Sequence, residues 1–102
     1  MKYQVQENYL TIFLPSELDH HNAEEIRKES DRLIEHNHIR YVIFDFRDTN
    51  FMDSSGIGLL MGRYRTLGMR NGCIRAVNVN VHVEKLMHLS GIHRYIEISR
   101  QE

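Results

Sequence analysis

The chain has 102 residues, a formal net charge of −1 and a single cysteine, Cys73. This length fits one domain that buries its own core without a metal or a disulfide framework. The charge disfavours a nucleic-acid surface, and a lone cysteine is typical of a reducing compartment. Since there is neither a secretory signal nor an apolar run of about eighteen residues, we expect a cytoplasmic protein with no nucleic-acid or membrane partner.

The first third of the chain predicts a β-hairpin followed by a helix. Residues 3–6 and 9–14 alternate apolar and polar side chains, as two antiparallel strands do. Asn22 and Glu25 then have the spacing of a capping box, so we expect a helix that begins there and ends near Asn37.

The middle of the chain predicts a central strand and a second helix. Residues 41–44 form a continuous apolar run, which is typical of a strand covered on both faces. Residues 55–67 then predict a helix, because apolar side chains recur at spacings of three and four.

The last third predicts a further strand, helix and strand. Residues 73–77 form a strand after a turn, Asn80 caps a helix that ends at Ser90-Gly91, and a final strand covers residues 95–98. The complete order is β-β-α-β-α-β-α-β. It predicts a single α/β domain over residues 1–102, with a mixed β-sheet of about four to five strands and helices packed on it.

The segment from Asp53 to Gly58 is the main candidate for a functional site. It places Ser54 and Ser55 at the start of a predicted helix, where free backbone N–H groups and the positive end of the helix dipole favour an added phosphate. Gly56 and Gly58 remove side-chain bulk, which lets another backbone or a large partner approach closely. The ordinary alternative is that Asp53 and the serines only cap the helix.

Other site types are disfavoured by the pattern around the serines. The third glycine of a dinucleotide fingerprint is missing, and a phosphate-binding loop would need a lysine followed by serine or threonine. No glycine stands two residues before either serine, so the segment is not a nucleophile elbow.

Histidines and arginines are the remaining candidates for chemistry. None of the seven histidines has a His or Cys partner at zinc-ligand spacing, so we predict surface histidines and no metal site. The arginines of the second helix and the following turn and strand predict a solvated basic surface, whose best functional use is to pair with an acidic protein partner. They are Arg63, Arg65, Arg70 and Arg75.

Several runs of sequence together resemble the STAS-domain anti-sigma factor antagonists. The runs are Glu-Leu-Asp-His-His at residues 17–21, residues 45–49, the Asp-Ser-Ser-Gly region at 51–58, residues 62–64, and residues 86–92. Among these antagonists, the chain is most similar to the sporulation type of the sigma-F system, and the 17–21 run favours that type over the general-stress type. The resemblance covers nearly the whole chain.

The resemblance implies a partner switch in which the chain is a ligand and not an enzyme. In this family the first serine of the motif, here Ser54, is phosphorylated by an anti-sigma factor that is also a serine kinase using ATP. The unmodified antagonist binds the nucleotide-bound anti-sigma factor and frees the sigma factor, and a PP2C-type phosphatase reverses the phosphorylation. No cofactor is implied for the chain itself, and we expect a monomer.

The resemblance also implies which residues meet the partner. Ser54 accepts the phosphate, Asp53 orients the turn, and Ser55 satisfies N–H groups of the first helical turn. An Asp that only stabilises the turn is an open alternative for Asp19. The expected partner-binding set is Asp19, His20, Asp53, Ser54, Ser55, Gly56, Ile57 and Gly58.

The sequence departs from the family at three places. Leu14-Pro15-Ser16 stands where relatives often have a glycine before the glutamate, and Asn80-Val81 stands where Ser-Pro is common. Relatives usually have a C-terminal helix, which we expect to be short or absent in this chain.

Two other functions stay open. One is a STAS scaffold or small-molecule sensing module that is not phosphorylated. The other is a phosphocarrier enzyme, which the serine-first motif disfavours because a serine phosphate is a stable ester.

Overall fold

Seven strands and three helices make up the protein. The computed structural model describes residues 1–102. The strands are β1 (Lys2–Gln6), β2 (Tyr9–Phe13), β3 (Glu17–Leu18), β4 (Tyr41–Asp45), β5 (Phe51–Met52), β6 (Ile74–Val79) and β7 (Glu97–Arg100). The helices are α1 (His20–Asn37), α2 (Ser54–Thr66) and α3 (Val81–Ser90), and a short 3-10 turn, Ile92–Arg94, follows α3.

Five of the strands form the main sheet, in the order β1-β2-β4-β6-β7. The pair β1 and β2 is antiparallel, and every other pair in this sheet is parallel. The predicted fold class, an α/β domain with a mixed sheet of four to five strands, is confirmed. A second, two-stranded parallel sheet joins β3 to β5 and was not predicted.

One face of the main sheet carries the core. In β4 the side chains of Val42 and Phe44 are fully buried, whereas those of Tyr41 and Ile43 are only partly buried. The prediction that β4 is covered on both faces is therefore wrong. The apolar run misled because the second face, although it bears an aromatic and an isoleucine, is left partly open to solvent.

All three helices lie on the buried face. The chain moves in one direction across the sheet, from β2 to β4, then to β6 and to β7. Right-handed crossovers in one direction place every connecting helix on the same side. The buried residues of neighbouring strands are in register on that side: Leu10 pairs with Val42, and Val42 pairs with Ile74.

The predicted helix and strand boundaries need four main corrections, and one of them is that β6 ends at Val79, two residues later than predicted. Helix α1 begins at His20 and is capped by Asp19, so the predicted start at Asn22 is wrong. Helix α2 begins one residue earlier than predicted, at Ser54. Strand β7 begins at Glu97, two residues later than predicted, because the 3-10 turn uses the preceding residues. None of the helices is long and apolar enough to cross a membrane.

Candidate functional site

The small β3–β5 sheet sets the starts of α1 and α2 side by side. Leu18 pairs with Met52, and the backbone N–H of Asp53 donates to the carbonyl oxygen of Leu18 at 3.3 Å. Each strand is followed at once by an aspartate and then by a helix. Two positive helix ends therefore lie next to each other at one rim of the molecule.

Each of these helix ends is capped by its aspartate. Oδ1 of Asp19 accepts a hydrogen bond from the backbone N–H of Asn22 at 2.9 Å, and Oδ1 of Asp53 accepts one from the backbone N–H of Ser55 at 2.8 Å. Asp19 therefore has the local structural role that we left open for it, and its contact with a partner stays a prediction. The capping role that we predicted for Ser55 belongs to Asp53, which corrects that expectation.

Ser54 is the first residue of α2 and is exposed. Its hydroxyl lies where the backbone N–H groups of the first turn have no intrahelical partner. The turn before it is held by the Asp53 cap and by the pairing of β5 with β3. Ser54 is consequently an accessible hydroxyl on a fixed backbone, beside the positive end of α2.

The two glycines after the serines serve different purposes. A Cβ atom on Gly56 would lie 2.4 Å from Cγ of Met52 and 3.0 Å from Cδ2 of Leu18, so the absence of a side chain lets α2 pack on β3 and β5. Gly56 is buried, which corrects the expectation that it meets a partner. Gly58 is exposed, and a Cβ atom there would meet nothing within 4 Å.

A small cleft of about 160 Å³ lies between the first turns of α1 and α2. His20, Arg27, Ser55 and Gly58 are among the residues that line it, so the structure brings the predicted His20 close to the serine turn. Arg27 donates to Glu24 from Nε at 3.0 Å and from Nη2 at 2.6 Å. These hydrogen bonds lower the pKa of the Glu24 carboxyl.

The apolar residues of the turn belong mainly to the core. Met52 is buried, and Ile57 and Met61 are partly buried and pack against the core. Only part of the Ile57 side chain faces solvent, so its predicted contact with a partner involves a half-exposed surface. Phe51, for which we predicted no partner contact, is the exposed apolar residue nearest in sequence to Ser54, with 51% of its surface accessible.

Arg63 is not part of a solvated basic surface, which corrects the prediction for this residue. It is 4% exposed and lies between α1 and α2. Its guanidinium donates to the carbonyl oxygen of Arg27 at 3.2 Å and to the hydroxyl of Ser30 at 3.4 Å, and it lies 3.1 Å from Oδ1 of Asp31. Burial lowers the pKa of Arg63, and the charge of Asp31 opposes that shift.

The sequence did contain a signal for Arg63. It follows Gly56, Leu59 and Leu60 at the spacing of the buried stripe of α2, so a helical pattern places it toward the core. Ser30 occupies a position in the buried stripe of α1 in the same way. Two polar residues in facing apolar stripes indicate a buried polar pair.

The histidines do not form a cluster of ligands. No group of three or more His, Cys, Asp or Glu side chains is arranged to hold a metal ion. The rings of His88 and His93 stack at 4.3 Å between centroids, at the end of α3.

Comparison with known proteins places these features in a family. The sequence profile of the STAS domain matches residues 1–102. The chain is 31% identical over 93 residues to the anti-sigma F factor antagonist of Paenibacillus polymyxa, a match that covers 91% of this chain and 80% of that protein.

Two solved structures are also similar. The unphosphorylated form of the anti-sigma factor antagonist SpoIIAA has a TM-score of 0.82 and 33% identity, and the match covers 95% of this chain and 87% of that one. The phosphorylated form of the Bacillus cell fate determinant SpoIIAA has a TM-score of 0.72 and 32% identity, with 95% and 90% covered.

Proposed function

This chain belongs to the STAS-domain family, and we propose that it is an anti-sigma factor antagonist controlled by phosphorylation of Ser54. In the unmodified state it binds a nucleotide-bound anti-sigma factor and releases the sigma factor. That anti-sigma factor is also the serine kinase, and a PP2C-type phosphatase restores the binding form. The chain itself carries out no catalysis.

The observation that carries this proposal is the position of Ser54. Its hydroxyl is exposed at the first residue of α2, on a backbone fixed by the Asp53 cap and by the β3–β5 pairing. A kinase can reach such a hydroxyl without unfolding the turn. The likeness of this chain to both the unphosphorylated and the phosphorylated forms of SpoIIAA supports a switch that keeps the fold.

Free energies explain how one phosphate can control binding. Phosphorylation adds about 1.5 to 2 negative charges at neutral pH, and a helix start stabilises such charge by about 0.3 to 2 kcal/mol. The stability of the free chain therefore changes little. Burying the same charge in an interface costs several kcal/mol, and about 2.7 kcal/mol already weakens affinity a hundredfold.

The surface that the partner contacts is, in this proposal, the rim around Ser54. His20, Gly58 and the exposed part of Ile57 supply contacts, whereas Asp19 and Asp53 act mainly by capping α1 and α2. A cap keeps the helix ends in place, so loss of either aspartate would displace the rim as well as remove a charge.

Incubation with the anti-sigma factor and ATP, followed by mass spectrometry of peptides, tests the proposal directly. We expect one added phosphoryl group, located on Ser54, and none on a Ser54→Ala variant. Phosphate on Ser55 alone, with Ser54 unmodified, would contradict the assigned site.

A second function has one observation in its favour. A cavity of about 490 Å³ lies between the first two strands and α1, and none of its lining residues belongs to the Asp53–Gly58 segment. Lys2 and Phe13 line one part, and Glu25 and Glu29 line another. This volume suits a small ligand, as expected of a sensing module. If the chain is only a sensor, Ser54 will stay unmodified in the kinase assay.

A further inference from the structure

The outward side of α3 forms a distinct surface. Val83 and Met87 are buried beneath the helix, and the helical period places the exposed residues of α3 on the opposite side. Val81 and Leu89 have 67% and 77% of their surface accessible. We use the name α3 outer face for Val81, His82, Lys85, His88 and Leu89.

The α3 outer face has no uncompensated negative charge. Glu84 is the only acidic residue of α3, and the guanidinium of Arg100 donates to its Oε1 at 2.8 Å. This hydrogen bond lowers the pKa of the Glu84 carboxyl. Lys85 forms no ion pair, and Arg94 follows in the adjoining 3-10 turn. The face therefore combines exposed apolar side chains with one unpaired lysine, and a second cation, Arg94, lies beyond its end.

The α3 outer face begins next to the Ser54 turn. Nδ2 of Asn80, the cap of α3, donates to the carbonyl oxygen of Thr49 at 2.9 Å, which ties the start of α3 to the segment before β5. Helix α3 also packs against β5. Phe51 of β5 is half exposed, so both β5 and the first residue of α3, two elements in contact, present an exposed apolar side chain.

We infer that the α3 outer face, together with Phe51, is part of the docking surface for the anti-sigma factor, and that the partner surface it contacts is acidic with apolar recesses. The inference rests on the proposed function and deepens it. Exposed apolar side chains rimmed by polar groups are typical of protein docking sites. Positive charge at their edge selects an acidic partner and speeds its association.

An acidic partner surface also explains the direction of the switch. A dianion on Ser54 would face like charge as the partner approaches, in addition to its cost of dehydration.

A protein is favoured over a membrane as the occupant of the face. Lipid-binding segments carry clusters of about four to eight basic residues, and α3 has one lysine. It is favoured over nucleic acid because the chain has a net charge of −1.

Calorimetric titration of the full chain with the ADP-loaded anti-sigma factor of the same organism tests the inference. Lys85→Glu and Leu89→Ser change the face, and each has a matched control elsewhere: Lys28→Glu on α1 and Met69→Ser after α2. We expect a tenfold or greater loss of affinity for each variant of the face and less than twofold for each control. Salt should reduce the effect of Lys85→Glu more than that of Leu89→Ser.

Four outcomes decide the inference. Wild-type affinity for Lys85→Glu and Leu89→Ser, with weak binding by Ser54→Asp, would overturn it and leave the proposed function standing. Equal losses in the controls would also overturn it. Wild-type affinity for Ser54→Asp, with losses in both face variants, would support the face and contradict the phosphorylation switch. Loss of binding to phosphatidylserine vesicles or single-stranded RNA, without loss of anti-sigma binding, would assign the face to another partner.

The folded state of each variant can be checked by its thermal unfolding midpoint. The side chains of Lys85 and Leu89 are exposed and make no hydrogen bonds within the chain, so we expect midpoints close to that of the wild type.

Discussion

Helices α1 and α3 pack on the same face of the sheet, yet their outer surfaces are organised differently. On α1 most of the charged groups pair within the helix, as Arg27 does with Glu24 and Arg32 with Glu29, and no large apolar side chain is exposed. On α3 the one carboxylate is held by Arg100, while Lys85 and two large apolar side chains are left free. A partner would bury little apolar surface on α1, whereas on α3 it would bury two large apolar side chains.

The same contrast recurs along α2. Arg63 is buried against α1 and Gly56 is buried against β3 and β5, so this part of the helix is closed by contacts within the chain. Ser54, Gly58 and Arg65 are exposed. Substitutions on the closed side should therefore act on stability, and substitutions on the open side should act on binding.

Removing Arg63 should have the largest effect on stability. We expect Arg63→Ala to lower the free energy of unfolding by about 2 to 3 kcal/mol, because it leaves a cavity and removes the hydrogen bonds to the Arg27 carbonyl and the Ser30 hydroxyl. This loss of stability is smaller than that for a fully buried ion pair, because Asp31 is 40% exposed and still has Arg27 as an ion-pair partner at 3.5 Å. Urea unfolding gives the value, with the exposed Arg65→Ala as control, expected within about 0.5 kcal/mol. Equal effects of the two variants would contradict the buried role of Arg63.

The two glycines should respond in opposite directions to the same substitution. Gly56→Ala forces a Cβ atom against Met52 and Leu18, so we expect a loss of about 1 to 3 kcal/mol. Gly58→Ala meets open space and gains helix propensity, so we expect a gain of about 0.5 to 1 kcal/mol together with weaker anti-sigma binding. Thermal unfolding measures the stability of each variant, and calorimetric titration measures its affinity for the anti-sigma factor. Stabilisation by Gly56→Ala would show that the packing on Met52 is not tight.

The two aspartate caps should have similar effects on stability and different effects on binding. Asp19→Ala and Asp53→Ala each remove one cap, at a cost of about 1 kcal/mol. Because Asp53 fixes the turn that bears Ser54, its loss should weaken anti-sigma binding more than the loss of Asp19. A larger loss of affinity from Asp19→Ala would place the partner mainly over α1.

Acid should have the smallest of these effects. Hydrogen bonds from Arg27, Arg32 and Arg100 lower the pKa values of Glu24, Glu29 and Glu84 below their ordinary value of 4.5. Stability from these pairs is therefore complete above pH 4.5 and is lost as the pH falls through the lowered values. Between neutral pH and pH 3, the free energy of unfolding should fall less steeply for Glu84→Gln than for the control Glu35→Gln. Identical declines would mean that the Glu84 pair adds no stability.

The fold was largely predictable from periodicity and turn residues. The alternation in β2 and the apolar stripe of α2 predicted these two elements correctly, because the side chains that the sequence pattern places on one face are the ones that pack in the core. The Asp-Ser-Ser-Gly segment predicted the helix start that bears Ser54 to within one residue. Boundaries failed where two capping residues competed, as Asp19 and Asn22 did before α1.

Long-range contacts explain what the sequence did not predict. The β3–β5 sheet has only two residues in each strand, too few to produce a period, and it depends on pairing across the chain. The burial of Arg63 depends on Ser30 in another helix. The charge of the α3 outer face could be predicted only if the ion-pair partner of Glu84 were known, and that partner, Arg100, lies 16 residues away in sequence.

The measurement that tests the central claim most directly compares the unmodified chain with the chain phosphorylated at Ser54. Each is titrated with the ADP-loaded anti-sigma factor, and the thermal unfolding midpoint of each is recorded in the same buffer. We predict that phosphorylation weakens affinity at least a hundredfold, about 2.7 kcal/mol, and leaves the midpoint nearly unchanged. Equal affinity of the two forms, or a phosphorylated chain that binds weakly because it has unfolded, would contradict the account.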